Sequence, residues 1–166
     1  MPSHPFREAV ENRDLDAMIG TLAPDVVFHS PLVSAPFRGQ RQVGELFRLL
    51  SELFLFKPSL RYTHEVANAD TVFLSFEMEV DGVPVEGVDL LLLDAQGKVR
   101  DITVFLRPLP GTSAVARALS PKIAATEGPA QAALASAGSA PLFALARVFD
   151  AVASRMVSRG ALGGGG

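Results

Sequence analysis

The chain contains no cysteine. That excludes a disulfide framework, a thiolate metal site and a thiol nucleophile, and it fits a reducing, cytoplasmic setting. Histidine is scarce: His4, His29 and His64 are the only three. Their spacing gives no metal-ligand set, so no metal is expected. No run approaches the roughly 18 apolar residues that span a bilayer, so a membrane role is not expected. The opening residues Met1-Pro2-Ser3-His4-Pro5 lack the basic start and apolar stretch of a secretory signal. Excess positive charge is missing too. The formal net charge is −3, which argues against nucleic acid as the partner.

What is present is a large apolar content, 48% of 166 residues, enough to build a sizeable core in one domain with an appendage. After Pro108-Leu109-Pro110-Gly111 the balance turns from acidic to basic and the chain becomes rich in alanine. The expected organisation is a domain over 5–109, a partly helical Ala/Gly/Pro-rich connector over 110–140, an amphipathic helix over 141–160 and a disordered tail over 161–166. The tail includes the glycine run Gly163–Gly166. The 141–160 helix has Leu142, Leu145, Val148, Phe149, Val152 and Met156 on one side and must bury that stripe.

Within the domain, Phe6 to Leu22 reads as helical with a break, and Asp14 is placed to cap the second piece. Val26 to Ser30 reads as a strand stopped by Pro31, and a loop follows to Phe37-Arg38-Gly39. Residues 40–55 carry Val43, Leu46, Phe47, Leu50, Leu53 and Phe54 at helical spacing. Four strand patterns follow: Ser59–Asn68, Thr71–Val80, Pro84–Leu93 and Val99–Leu109. Asp81-Gly82 suits a tight hairpin between the second and third of these. In the first, Tyr62 and His64 alternate on one face with Leu60 and Val66. Helices followed by hairpin-linked strands make an α+β fold, with a curved, mostly antiparallel sheet wrapped around the N-terminal helices. A helical stretch from Ser113 to Thr126, interrupted near Pro121, is expected beyond the domain.

Asp89 is the chemical anomaly. It lies in Val85-Glu86-Gly87-Val88-Asp89-Leu90-Leu91-Leu92-Leu93, the most apolar run of the chain. A carboxylate there is costly unless paired, hydrogen-bonded or neutral. It is either a pocket acid or a structural carboxyl bonded to a neighbouring Tyr, His or Arg. His29, on the short strand beside Phe28, is the candidate base. Tyr62, His64, Phe28, Phe76 and Arg107 are candidate ligand-binding residues. Arg107 is placed to pair with Asp89 or Asp101, or else to form a sheet-edge ion pair, the commoner role for such a residue.

The local text resembles one superfamily. Asp14-Leu15-Asp16 with Leu22-Ala23-Pro24-Asp25-Val26-Val27-Phe28, then Phe37-Arg38-Gly39, then Val88-Asp89-Leu90-Leu91-Leu92-Leu93-Asp94-Ala95-Gln96-Gly97-Lys98-Val99 are similar to the opening, helix entry and hairpin of the nuclear-transport-factor-2-like superfamily. That superfamily includes ketosteroid isomerases, limonene epoxide hydrolases and SnoaL-like polyketide cyclases. The resemblance covers about residues 5–109. It implies a cone-shaped α+β roll with an apolar cavity, and a homodimer formed through the sheet face. In the ketosteroid-isomerase register, Asp89 falls at the protonated acid of the oxyanion hole. Phe6 stands where that family has a tyrosine, and Ser30 where it has an aspartate base. Gly87 stands where the epoxide hydrolases have an arginine. His29 with Asp89 is compatible with a SnoaL-like site. The resemblance implies a cofactor-independent isomerase, cyclase or hydrolase for an apolar cyclic or polyketide-like ligand, or a non-catalytic binding or dimerisation module of the same fold.

Overall fold

The computed structural model describes residues 3–125, and the statements below refer to these. The chain divides into two compact units, residues 1–107 and 108–166.

The first unit opens with two short helices, α1 (Pro5–Glu11) and α2 (Leu15–Gly20). Each has a side-chain cap satisfying an otherwise orphaned N–H. His4 Nδ1 accepts from the Phe6 N–H at 3.2 Å, and Asp14 Oδ1 from the Ala17 N–H at 2.8 Å. Strand β1 (Leu22–His29), strand β2 (Phe37–Arg38) and helix α3 (Gly39–Leu50) follow, and α3 runs into a π-helical turn, Ser51–Leu55. Strands β3 (Arg61–Ala67), β4 (Thr71–Val80), β5 (Val83–Leu93) and β6 (Val99–Arg107) complete the unit. The sheet is curved and unclosed, in the order β2-β1-β6-β5-β4-β3. Every neighbouring pair is antiparallel except β1 with β6. The fold is α+β.

Period-two alternation gives the sheet an inner and an outer face. Val72, Leu74, Phe76, Met78 and Val80 of β4 are buried, as are Val83, Val85, Gly87, Asp89 and Leu91 of β5. The helices lie on this inner face. Phe47 of α3 meets Phe28 of β1 edge-on at 5.8 Å and Phe6 of α1 at 5.9 Å. The β4–β5 hairpin turns through Asp81 (φ 50°) and Gly82 (φ 75°), the paired left-handed conformations that match strand twist. The β5–β6 turn is tied by Asp94 Oδ1, which accepts from the Gln96 and Lys98 N–H groups at 2.8 Å each.

Several boundaries differ from the sequence reading. β1 begins at Leu22 rather than Val26, and Pro24 falls in the interruption of its ladder with β6, where no N–H is required. Phe37–Arg38 forms a strand, pairing with Val27 and Phe28, rather than a loop. In the second unit, α4 spans Leu109–Ala125. It starts before Ser113 because Pro110 is harmless in a first turn, and it continues through Pro121 rather than breaking there. The connector beyond α4, the 141–160 helix and the tail lie outside the described residues. Among the described residues no helix is long and apolar enough to cross a membrane.

Candidate ligand site on the inner face of the sheet

Strand β5 turns Asp89 inward, between its register partners Leu74 of β4 and Val104 of β6. The adjacent inner row is Tyr62, Phe76, Gly87 and Leu106. Gly87 makes this row possible. A Cβ there would stand 2.2 Å from Cζ of Phe76, far inside contact distance, so the Phe76 ring occupies the space a side chain would take. Phe76 in turn meets the Tyr62 ring edge-on, with centroids 6.1 Å apart at 85°. Tyr62 so held donates its hydroxyl to Asp89 Oδ2 at 3.1 Å. Both residues are buried, at 5% and 7% exposure.

Burial pushes the Asp89 carboxyl up to about 7, and the Tyr62 hydrogen bond acts in the opposite direction. Tyr62 is itself held well above the usual phenol value, first by burial and then by the negative charge of Asp89. The phenol therefore stays a donor, while the carboxyl is poised near neutrality. Such a group can donate a hydrogen bond as an acid or take a proton as a carboxylate without leaving its place. Val104 and Leu106 beside it are half-buried, so apolar surface adjoins the polar pair.

Phe28 and Phe76 lie on the inner face with Asp89 and Tyr62. Phe28 packs edge-on to Phe37 at 6.1 Å as well as to Phe47. The other three sequence candidates do not join them. His29 is the register partner of Thr103, and Phe28 that of Ile102, so His29 falls on the face opposite Asp89. There its Nε2 lies 3.2 Å from Asp101 Oδ2. His64 was expected to share the face of Tyr62. A β-bulge between Tyr62 and His64 inserts an extra residue and reverses the alternation. His64 Nδ1 consequently lies 3.2 Å from Ser75 Oγ on the outer side. Arg107 is exposed and pairs with Glu86 at 3.2 Å rather than with Asp89 or Asp101. His64 and Arg107 both border a shallow outer groove of about 450 Å³, together with Ser75, Glu86 and Phe105. Among the described residues no group of three or more His, Asp or Glu side chains could hold a metal ion.

A profile of the SnoaL-like domain matches residues 4–102. The chain belongs to the SnoaL-like family. Its fold is similar to a steroid delta-isomerase from Pseudomonas aeruginosa, at 26% identity and TM-score 0.66, covering 73% of this chain and 88% of the other. It is similar to a bacterial protein with a cystatin-like fold from Silicibacter pomeroyi, at 25% identity and TM-score 0.65, covering 72% and 86%. An NTF2-like protein from Mesorhizobium loti shares the fold at 16% identity and TM-score 0.53, covering 62% and 85%. No curated protein matches the chain.

Phe6 and Ser30, which the resemblance set against a tyrosine and an aspartate base of ketosteroid isomerases, make packing and turn contacts in this SnoaL-like domain. Phe6 is buried against Phe47, and the Ser30 hydroxyl accepts from the Leu32 N–H at 3.1 Å. The polar partner of Asp89 comes instead from β3, as Tyr62. The sequence reading named Tyr62 as a ligand-binding candidate and offered a carboxyl bonded to a neighbouring Tyr, His or Arg as the structural alternative for Asp89; the bond to Tyr62 is that contact. That Tyr62 is the single tyrosine of the chain was the available signal, since a buried phenol needs a partner and Asp89 needed a donor.

Proposed function

We propose that the inner face of this SnoaL-like domain holds an apolar, cyclic or polyketide-like small molecule, and that Asp89, aimed by Tyr62, exchanges a proton with that ligand. The reaction is acid–base chemistry without a cofactor, of the isomerase, cyclase or hydrolase type. Its carrying observation is the buried Tyr62–Asp89 hydrogen bond at 3.1 Å, with the carboxyl raised to about 7. The likeness to a steroid delta-isomerase supports the ligand class. Because His29 is turned to the outer face, Asp89 has to carry both halves of the proton transfer. As a carboxylate it takes a proton from carbon next to a carbonyl; as the acid it returns one to the rearranged product. Tyr62 keeps the carboxyl aimed throughout.

The test is proton exchange. Fused-ring ketones are incubated in D2O with the wild-type chain and with D89N, and deuterium uptake next to the carbonyl is followed by mass spectrometry. The expected result is uptake with the wild type and loss of it with D89N. Equal uptake by both overturns the reading.

A second reading, a non-catalytic binding module, is favoured by a specific observation. Among the described residues the buried polar or charged side chains are Ser51, Asp89 and Ser113, with Tyr62 beside Asp89, so no second base accompanies the acid. It predicts that fused-ring phenols bind without any exchange of the ketones. The outer face supports the homodimer. Val66, Phe73 and Phe105 are 66%, 45% and 55% exposed there, an apolar patch of the kind that marks association sites. A cytoplasmic setting belongs to the same reading.

A further inference from the structure

The Tyr62 ring is held on more than its Phe76 side. The Arg7 guanidinium carbon lies 5.7 Å from the ring centroid, within cation–π range. Arg7 is on α1. The side chain is clamped. Its Nε donates to Glu11 Oε1 at 2.8 Å, and its Nη1 reaches Glu65 Oε2 at 3.5 Å. Glu65 is fixed in turn, because its Oε1 accepts from the His4 N–H at 2.7 Å. The side chains of Arg7 and Glu65 are only 21% and 16% exposed, so water screens this cluster incompletely. Helix α1 and strand β3 are thus joined by charged groups that converge on the one phenol bonded to Asp89.

Taking the Tyr62–Asp89 pair as the site, we propose that Arg7 is its positioning residue: its guanidinium, clamped by Glu11 and Glu65, holds the phenol ring and polarises the hydroxyl toward Asp89. A cation over the ring draws electron density away from the phenol oxygen and stabilises developing phenolate charge, which makes the O–H a stronger donor. Arg7 acts on Tyr62 in the acidifying direction, and Glu11 opposes it. A stronger donor stabilises the Asp89 carboxylate. The charged groups facing the pair are therefore Arg7, Glu11 and Glu65, with His4 behind Glu65.

The chain supplies its own probe. It has one tyrosine and no tryptophan, so intrinsic fluorescence reports Tyr62 alone. Phenol emission is quenched by a hydrogen-bonded carboxylate, and its pH dependence follows Asp89. The full chain is titrated without ligand as wild type, R7M, R7K and E11Q. The expected wild-type midpoint is about 7. R7M is expected to raise it by about half a unit, R7K to restore most of that, and E11Q to lower it. If R7M lowers thermal stability while the midpoint stays, Arg7 is merely structural and the inference falls. Should R7M not fold, an unmoved midpoint in E11Q overturns it equally. A wild-type midpoint near the ordinary carboxylate value removes the site reading beneath it, and shows before any substitution is made.

Discussion

Replacing Asp89 with asparagine keeps the size of the side chain and an acceptor for Tyr62 but removes the proton equilibrium. In the folded chain the carboxyl is raised from 3.8 to about 7. Between those limits the native state holds a proton that the unfolded state has released. Stability of the wild type therefore falls as pH rises through that window, and the loss is complete above the folded value. Each unit of difference is worth about 1.4 kcal/mol, so a rise from 3.8 to about 7 corresponds to about 4 kcal/mol across the window. At 7% exposure Asp89 needs no large discount for solvent screening. The assay is urea unfolding of the wild type and D89N at several pH values from about 4 to about 8. The other carboxylates occur in both proteins and cancel in the difference. D89N is expected to gain on the wild type steadily over that range, by about 4 kcal/mol in total. Two stability curves that stay parallel within about half a kcal/mol would refute the reasoning, because Asp89 would then titrate as a hydrated carboxylate.

Other perturbations probe the surrounding parts. G87A places a methyl group where Cζ of Phe76 lies, 2.2 Å from the new carbon. It is expected to cost about 1–3 kcal/mol in chemical denaturation, and F76L is expected to recover much of that in the double variant, since the two share one space. H29A breaks only the outer pair with Asp101, whose side chains are 42% and 25% exposed. Its cost in urea unfolding is expected below about 1 kcal/mol, with ketone proton exchange unchanged. F73E or F105E puts a charge on the exposed outer face, and light scattering is expected to report a shift from dimer to monomer with far-UV circular dichroism preserved.

Local pattern carried the fold where one face is buried. Thr71–Val80 stands in the structure with the bounds its alternation implies, and Asp81-Gly82 makes the turn its composition favours. Asp89 was legible as an anomaly because it is a lone carboxylate in the most apolar run, and its inward direction was implied by the family resemblance; the structure puts it on the buried face with Gly87 and Leu91. The β3 bulge was not legible: a single inserted residue leaves the pattern of Tyr62 and His64 unchanged in the sequence yet sends them to opposite faces. The pairing of His29 with Asp101 spans 72 residues across the parallel β1–β6 contact. No local signal encodes such a partner. The same holds for Arg7 and Glu65, 58 residues apart. Chemistry-bearing residues could be named singly from the sequence, but their partners were fixed by strand register.

The most direct test is the titration of the Asp89 carboxyl in the ligand-free chain, followed by carbon-13 NMR with D89N to assign the resonance. A midpoint at about 7, moving upward in Y62F as the phenol donor is lost, is the predicted result. A midpoint near the ordinary carboxylate value, with no response to Y62F, would contradict the account of Asp89 as a buried acid poised for a ligand.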